Sequence, residues 1–205
     1  HNILYLSIRK CQNAVFRESA AEFYRLRIAG QIINIAIDST ETVSIKAEYP
    51  GMASQYEVSG SEECSRIKEL TLMQMGLQTQ LNAIANNPQL GADAVNDSVA
   101  RVVEAYKTRV KTDYIFKEPM KASSYFALFQ TLNAGGQSVL IFNPRSSEQD
   151  VKVFAAVATS WDTFYPNEER GENLHNIAIE GMKDIRIIKS KQAQGLVAAD
   201  KVNTT

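Results

Sequence analysis

The stretch SGSEECSRIKELTLMQMGLQTQLNAIANNPQLGADAVNDSVARVVEAYKTRVK, residues 59–111, decides the fold class. Apolar side chains recur at Ile67, Leu70, Met73, Leu77, Leu81 and Ile84 in steps of three and four, which is one face of a helix. Ser59-Gly60-Ser61-Glu62 fits a capping box, with a serine over the first turn and a glutamate three residues on reaching back. Asn86-Asn87-Pro88 ends the helix, since the residue before a proline avoids helical angles. A second stripe follows at Ala92, Val95, Val99, Val102, Tyr106 and Val110, opposite Asp97, Arg101, Glu104 and Lys107. A connection of only about five residues favours antiparallel neighbours, so the pair reads as a helical hairpin. Met73 belongs to the periodic face, which makes the methionine-rich run Leu72-Met73-Gln74-Met75 core rather than an adaptable binding surface.

Outward from this hairpin the signals alternate between helix and strand. Upstream, Val15, Phe16, Ala20, Phe23 and Leu26 face one way, and the spacing predicts a helix from near Arg9 to Ile28, continuing ambiguously through Ile33 to Ile37. Val43, Ile45, Ala47 and Tyr49 alternate with polar residues and read as a half-buried strand. Tyr49-Pro50-Gly51-Met52 suits a type II turn with positive φ at the glycine, and Gln55-Tyr56-Glu57-Val58 returns as the partner strand. Such a hairpin needs other elements to pack on.

Downstream, Ser124 to Asn133 reads as a short helix, capped by Asn133-Ala134-Gly135-Gly136. Gln137 to Asn143 reads as a buried strand closed by Asn143-Pro144. Residues 146–161 carry conflicting signals, and the balance is a buried helix with Ser146 and Gln149 as its capping box. Leu174, Ile177, Ala178, Met182, Ile185 and Ile188 favour a helix in which Gly181 costs roughly 1 kcal/mol, against a strand pair turning at Gly181. No linker divides the chain, so residues 1–190 read as one globular domain and 191–205 as a loosely held tail. The fold class expected is α+β, a helix-dominated single domain with an antiparallel helical hairpin and a small β element.

Composition bounds the function. A chain of 205 residues, 44% of them hydrophobic, buries one sizeable core, roughly 70% of its unfolded surface. With 22 basic and 23 acidic side chains the net charge is -1, leaving no global field for nucleic acid. Lys107, Arg109, Lys111, Lys117 and Lys121 form a local stripe, but Glu104, Asp113 and Glu118 interrupt it, as on an ordinary solvated face. No apolar run reaches the roughly 18 residues of a membrane span. The opening His1, with Ile3-Leu4-Tyr5-Leu6-Ser7-Ile8 before Arg9-Lys10, fits either removal of a signal or anchor segment or removal of an initiator and tag. The first reading places the protein outside the cytoplasm. Cys11 and Cys64 either close a loop of roughly fifty residues, worth about 4 kcal/mol, or remain buried free thiols.

Chemistry-bearing motifs are sparse. His175 stands near Glu168, Glu169, Glu172 and Glu180, too few nitrogen or sulfur donors for a zinc site and without the spacing of a calcium loop, so the group reads as a solvated acidic cluster. Gly135-Gly136-Gln137-Ser138 precedes a strand and carries neither nucleotide fingerprint. Asp38, Asp93, Asp97, Asp113, Asp150, Asp162 and Asp184 offer many pairings with no reason to choose one. Trp161, Phe164 and Tyr165 read as core rather than pocket lining. No catalytic, cofactor-binding or metal-ligating residue is assigned and no cofactor is expected. The reading is a non-catalytic binding or assembly protein with protein partners, set within an envelope complex if the chain is exported. Its rivals are a small-molecule sensor and an enzyme whose carboxylate or serine site assembles only in the fold.

Overall fold

The structure is a computed structural model that describes residues 3–9, 20–38 and 40–202, with side chains described through residue 194. It is α+β, and helix outweighs strand, 54% against 22%. The chain forms two compact units, one ending at Ile141 and the other beginning at Phe142.

The first unit opens with strands where a helix was expected. Strands β1 (Ile3–Arg9), β2 (Glu22–Ile28) and β3 (Gln31–Ile37) replace the helix anticipated from Arg9 to Ile28 and its continuation to Ile37, with residues 10–19 outside the described residues. The competing signal is period two: Leu26 and Ile28 turn inward in alternation with exposed Arg25 and Arg27, and β3 is rich in β-branched isoleucine. Ala29 and Gly30 both take positive φ, +48° and +78°. That is the two-residue loop geometry whose twist matches an antiparallel β2–β3 pair. Strands β4 (Thr42–Glu48) and β5 (Tyr56–Ser59) form the expected hairpin, and β1 adds to β4 to give the order β1-β4-β5. The type II turn is not formed: Gly51 does not take positive φ, and its carbonyl instead accepts from the Ser54 and Gln55 amides.

Strand β3 has two buried faces. Ile33, Ile35 and Ile37 join Val43, Ile45 and Ala47 of β4 with Met52, Tyr56 and Cys64, and Leu4, Leu6 and Ile8 of β1 pack against this cluster. Ala36 faces the other way with Ile67 and Ala122, beside Phe23 and Phe126.

The helical hairpin stands as expected, α1 (Glu62–Ala85) followed by α2 (Ala92–Val110). Ile67, Leu70 and Leu77 are buried, but the run Leu72-Met73-Gln74-Met75 is not core as expected: Met73 is half-buried, and Leu72 and Met75, off the periodic face, are exposed. The cap differs from the expectation. Ser59 ends β5, Gly60 turns the chain at φ +87°, and it is the Ser61 hydroxyl that accepts from the Cys64 amide. Any Cβ on Gly60 would lie 2.1 Å from the Thr42 carbonyl oxygen, so only glycine fits between the sheet and the helix.

A π-helical segment, Lys111–Ile115, continues α2, and it sets Tyr114 and Ile115 inward after Val110. Helix α3 (Ala122–Leu128) is shorter than anticipated, because Thr131–Ala134 is strand β6, paired with β7 (Gln137–Leu140). Gly135 and Gly136, both at positive φ, close that hairpin rather than cap a helix. Strand β7 is mostly exposed, not buried, with burial resuming at Ile141. The outward backbone groups of β6 are met by α1: Asn133 exchanges both hydrogen bonds with the Gln78 amide at 2.7 and 3.1 Å, and Gln74 donates to the Thr131 carbonyl. Two glutamines one turn apart thus stand in for a neighbouring strand.

The second unit is a helix pair, α4 (Glu148–Phe164) and α5 (Glu169–Val202). The buried helix expected over 146–161 is present, capped one residue later than read, by Ser147 on the Asp150 amide. Helix α5 runs through 174–188 without the rival strand pair. Gly171, Leu174, Ala178, Gly181 and Ile185 are its buried stripe. Phe142, Phe154 and Trp161 are fully buried.

Candidate functional site

His175 is not drawn to the glutamates beside it in sequence. Its Nε2 lies 2.5 Å from Asp162 Oδ2 on α4, with both side chains substantially exposed. Glu168 pairs with Arg170, and Glu180 pairs with Arg145. Among the described residues no group of three or more His, Cys, Asp or Glu side chains is placed to hold a metal.

The aspartates disperse in the same way. Asp38 accepts from the Thr40 hydroxyl and the Thr40 and Glu41 amides, so it shapes the β3–β4 turn. Asp93 sits in the first turn of α2, Asp97 lies exposed on that helix, and Asp113 and Asp184 pair with Arg109 and Arg145. Asp150 is buried and accepts from the Asn143 amide at 2.8 Å, which fixes the entry to α4. Within the basic stripe Lys111 pairs with Glu104 and Lys121 with Glu62 and Glu63. In the aromatic group Trp161 is fully buried with Tyr165 edge-on at 5.3 Å, whereas Phe164 is exposed. Cys64 carries a free thiol that donates to the Ala36 carbonyl, and burial pushes its pKa up. Cys11 lies outside the described residues, and with it the proposed pairing.

A polar network that sequence reading missed ties α1 to the π-helical segment and α3. Arg66 on α1 bonds Glu118 at 2.8 Å, donates from Nε to the Ser123 hydroxyl, and stacks 5.0 Å above the Tyr114 ring. The Tyr114 hydroxyl donates to Glu69, and the Ser123 amide donates to Glu63. Deeper, the Tyr106 hydroxyl donates to Gln130, whose own amide donates to the Leu70 carbonyl. Both serines of the α3 start are fully buried and committed, Ser124 donating to the Tyr114 and Glu118 carbonyls. These bonds link α1 to α2, the π-helical segment and α3, with Arg66 Nη2 the one buried nitrogen among them left without a partner, so the network positions the hairpin.

The network has a pH signature. Burial, then the Glu69 carboxylate beside it, pushes Tyr114 up to about 12, and burial also raises Tyr106 and Tyr56. An unfolded tyrosine ionises near 10. Folded-state values above that mean the stability contribution is complete below about pH 10 and is lost as pH rises through the folded values. Tyrosinate absorbance near 295 nm should therefore show a late-ionising component that urea abolishes and Tyr114→Phe diminishes. A native titration superimposable on the unfolded one would place these rings in water.

The second unit holds an open groove of about 250 Å³ between α4 and α5. Val151, Met182 and Ile185 form its apolar floor, and Glu148, Lys152, Arg186 and Lys189 its rim. The Glu148 carboxylate lies 2.6 Å from Lys189 Nζ and 3.9 Å from Lys152 Nζ. The hydrogen-bonded Lys189 first, and then Lys152, hold the Glu148 carboxyl below the ordinary range. The groove is smaller than the roughly 300–1,000 Å³ of drug-sized ligand pockets. On α5, Met182 within the groove and Ile179 beside it are each 44% exposed. The sequence held a signal for this surface, the steps of three and four that join His175, Ile179, Met182, Arg186 and Lys189.

Comparison of the chain with protein-family models, with curated proteins and with solved structures found no match.

Proposed function

We propose that this chain is a non-catalytic binding and assembly protein, and that the α4/α5 groove of the second unit is where it receives an amphipathic helix. The observation that carries the reading is the exposed pair Ile179 and Met182 beside an apolar floor with a charged rim. Apolar side chains left out of the helix–helix seam gain nothing from water, and a third helix laid along the groove would remove them from it. The cationic rim of Lys152, Arg186 and Lys189 favours carboxylates on the incoming helix.

Amine acylation followed by peptide mass spectrometry tests this. In the cells that make the protein, Lys152 and Lys189 should be labelled less than in the purified chain at high dilution, with Lys46 on β4 as the unaffected reference. Equal labelling of all three in both settings would remove the groove from the assembly surface.

A further inference from the structure

The exposed stripe of α5 has a symmetry of its own. Glu172, His175, Ile179, Met182, Arg186 and Lys189 recur in alternating steps of three and four, so they lie along one face. Glu172, Arg186 and Lys189 are exposed, and His175 is partly so. Reversed about the point between Glu180 and Gly181, the stripe sets apolar on apolar at its centre and acidic on basic at its ends. Ile179 falls opposite Met182, His175 opposite Arg186, and Glu172 opposite Lys189. Helix α4 repeats the polarity, with Asp162 at the His175 end and Lys152 at the Lys189 end. The face along α4 and α5 therefore has an acidic end beyond the groove, Glu172 and Asp162, and a basic end on the groove rim, where Lys152, Arg186 and Lys189 outnumber Glu148.

We propose that the helix received by the groove is α5 of a second copy of this chain, running antiparallel, so that two α4/α5 pairs associate about a two-fold axis. This rests on the assembly reading above and names its partner. Antiparallel pairing places apolar Ile179 and Met182 of each copy at the centre and sets the acidic end of each against the basic end of the other. A parallel pair would set like charges together at both ends. In an isologous interface every contact occurs twice, so the charge pattern of a single stripe selects both partner and direction. The Arg186 guanidinium reaches the end where Asp162 already orients the His175 ring, which supplies it with an acceptor.

Sedimentation of the full chain from about 1 to about 200 μM should show a reversible rise from 22.8 kDa toward twice that mass. Met182→Asp, checked for folding by circular dichroism, should stay monomeric throughout. Glu172→Lys and Lys189→Glu should each weaken association by roughly tenfold or more, because two-fold symmetry doubles each repulsion. Mixing those two variants should restore a dimer containing one of each, since every Lys then faces a Glu. A wild-type chain that stays monomeric, or a mixture no tighter than its components, overturns the proposal. If the purified chain is monomeric while Lys152 and Lys189 are protected in cells, the second-copy inference falls and the assembly reading stands with another partner. If neither holds, both fall.

Discussion

Trp161→Ala is expected to cost about 3–5 kcal/mol of unfolding free energy, the usual range for deleting a large aromatic from a packed interior. The indole is fully buried, and Tyr165 packs edge-on against it. Three residues along the same helix Phe164 is 47% exposed, so Phe164→Ala should stay within roughly 0.5 kcal/mol of the parent. Because Trp161 is the chain's only tryptophan, the comparison is made by circular dichroism in urea and not by fluorescence. Equal midpoints for the two variants would mean that the aromatic group is not core.

The second large effect is one of sign. Helix propensity alone says that Gly181→Ala should stabilise α5 by roughly 1 kcal/mol. The structure says the opposite. A Cβ at Gly181 would sit 2.6 Å from the Pro144 carbonyl oxygen and 3.0 Å from Val151 Cγ2, and forcing atoms into such a contact typically costs 1–3 kcal/mol. Gly181→Ala should therefore lower stability by about 1–2 kcal/mol. Gly76 on α1 has nothing within 4 Å of its would-be Cβ, so Gly76→Ala should raise stability by about 0.4–1 kcal/mol. Thermal unfolding midpoints that move in the same direction for both would show that α5 does not approach Pro144 this closely.

These contrasts show where the sequence was legible. The long helices were, because a 3.6-residue stripe sustained over several turns has few alternatives: α1, α2 and the Leu174 to Ile188 part of α5 fall where periodicity put them. Residues 22–28 carry a false helix signal, because Phe23 and Leu26 are spaced as a helix face by coincidence. The weaker alternation around Arg25 and Arg27 was decided by pairing with β3. The Asn133 to Gly136 turn was read as a helix end for a similar reason, since glycine at positive φ serves a C-cap and a two-residue hairpin alike. What separates them is whether a partner strand lies within reach.

The candidate site divides along the same line. His175, Ile179, Met182, Arg186 and Lys189 share a face by spacing alone, and no tertiary information is needed to place them together. Which face of α5 is buried, and hence that Ile179 and Met182 are left exposed beside Val151 and Lys152, follows only from the close approach at Gly181. The Arg66 network depends on the fold more completely, since its members lie up to sixty residues apart and meet through the π-helical turn. Sequence by itself determined the elements whose stability is local and periodic, together with the order of charges along each helix. Tertiary structure alone decided the strand pairings, the Ser61 cap and the half-buried Arg66–Glu118 pair. Those depend on which distant groups remove one another from water, and an unpaired polar group buried by the fold costs more than any local preference returns.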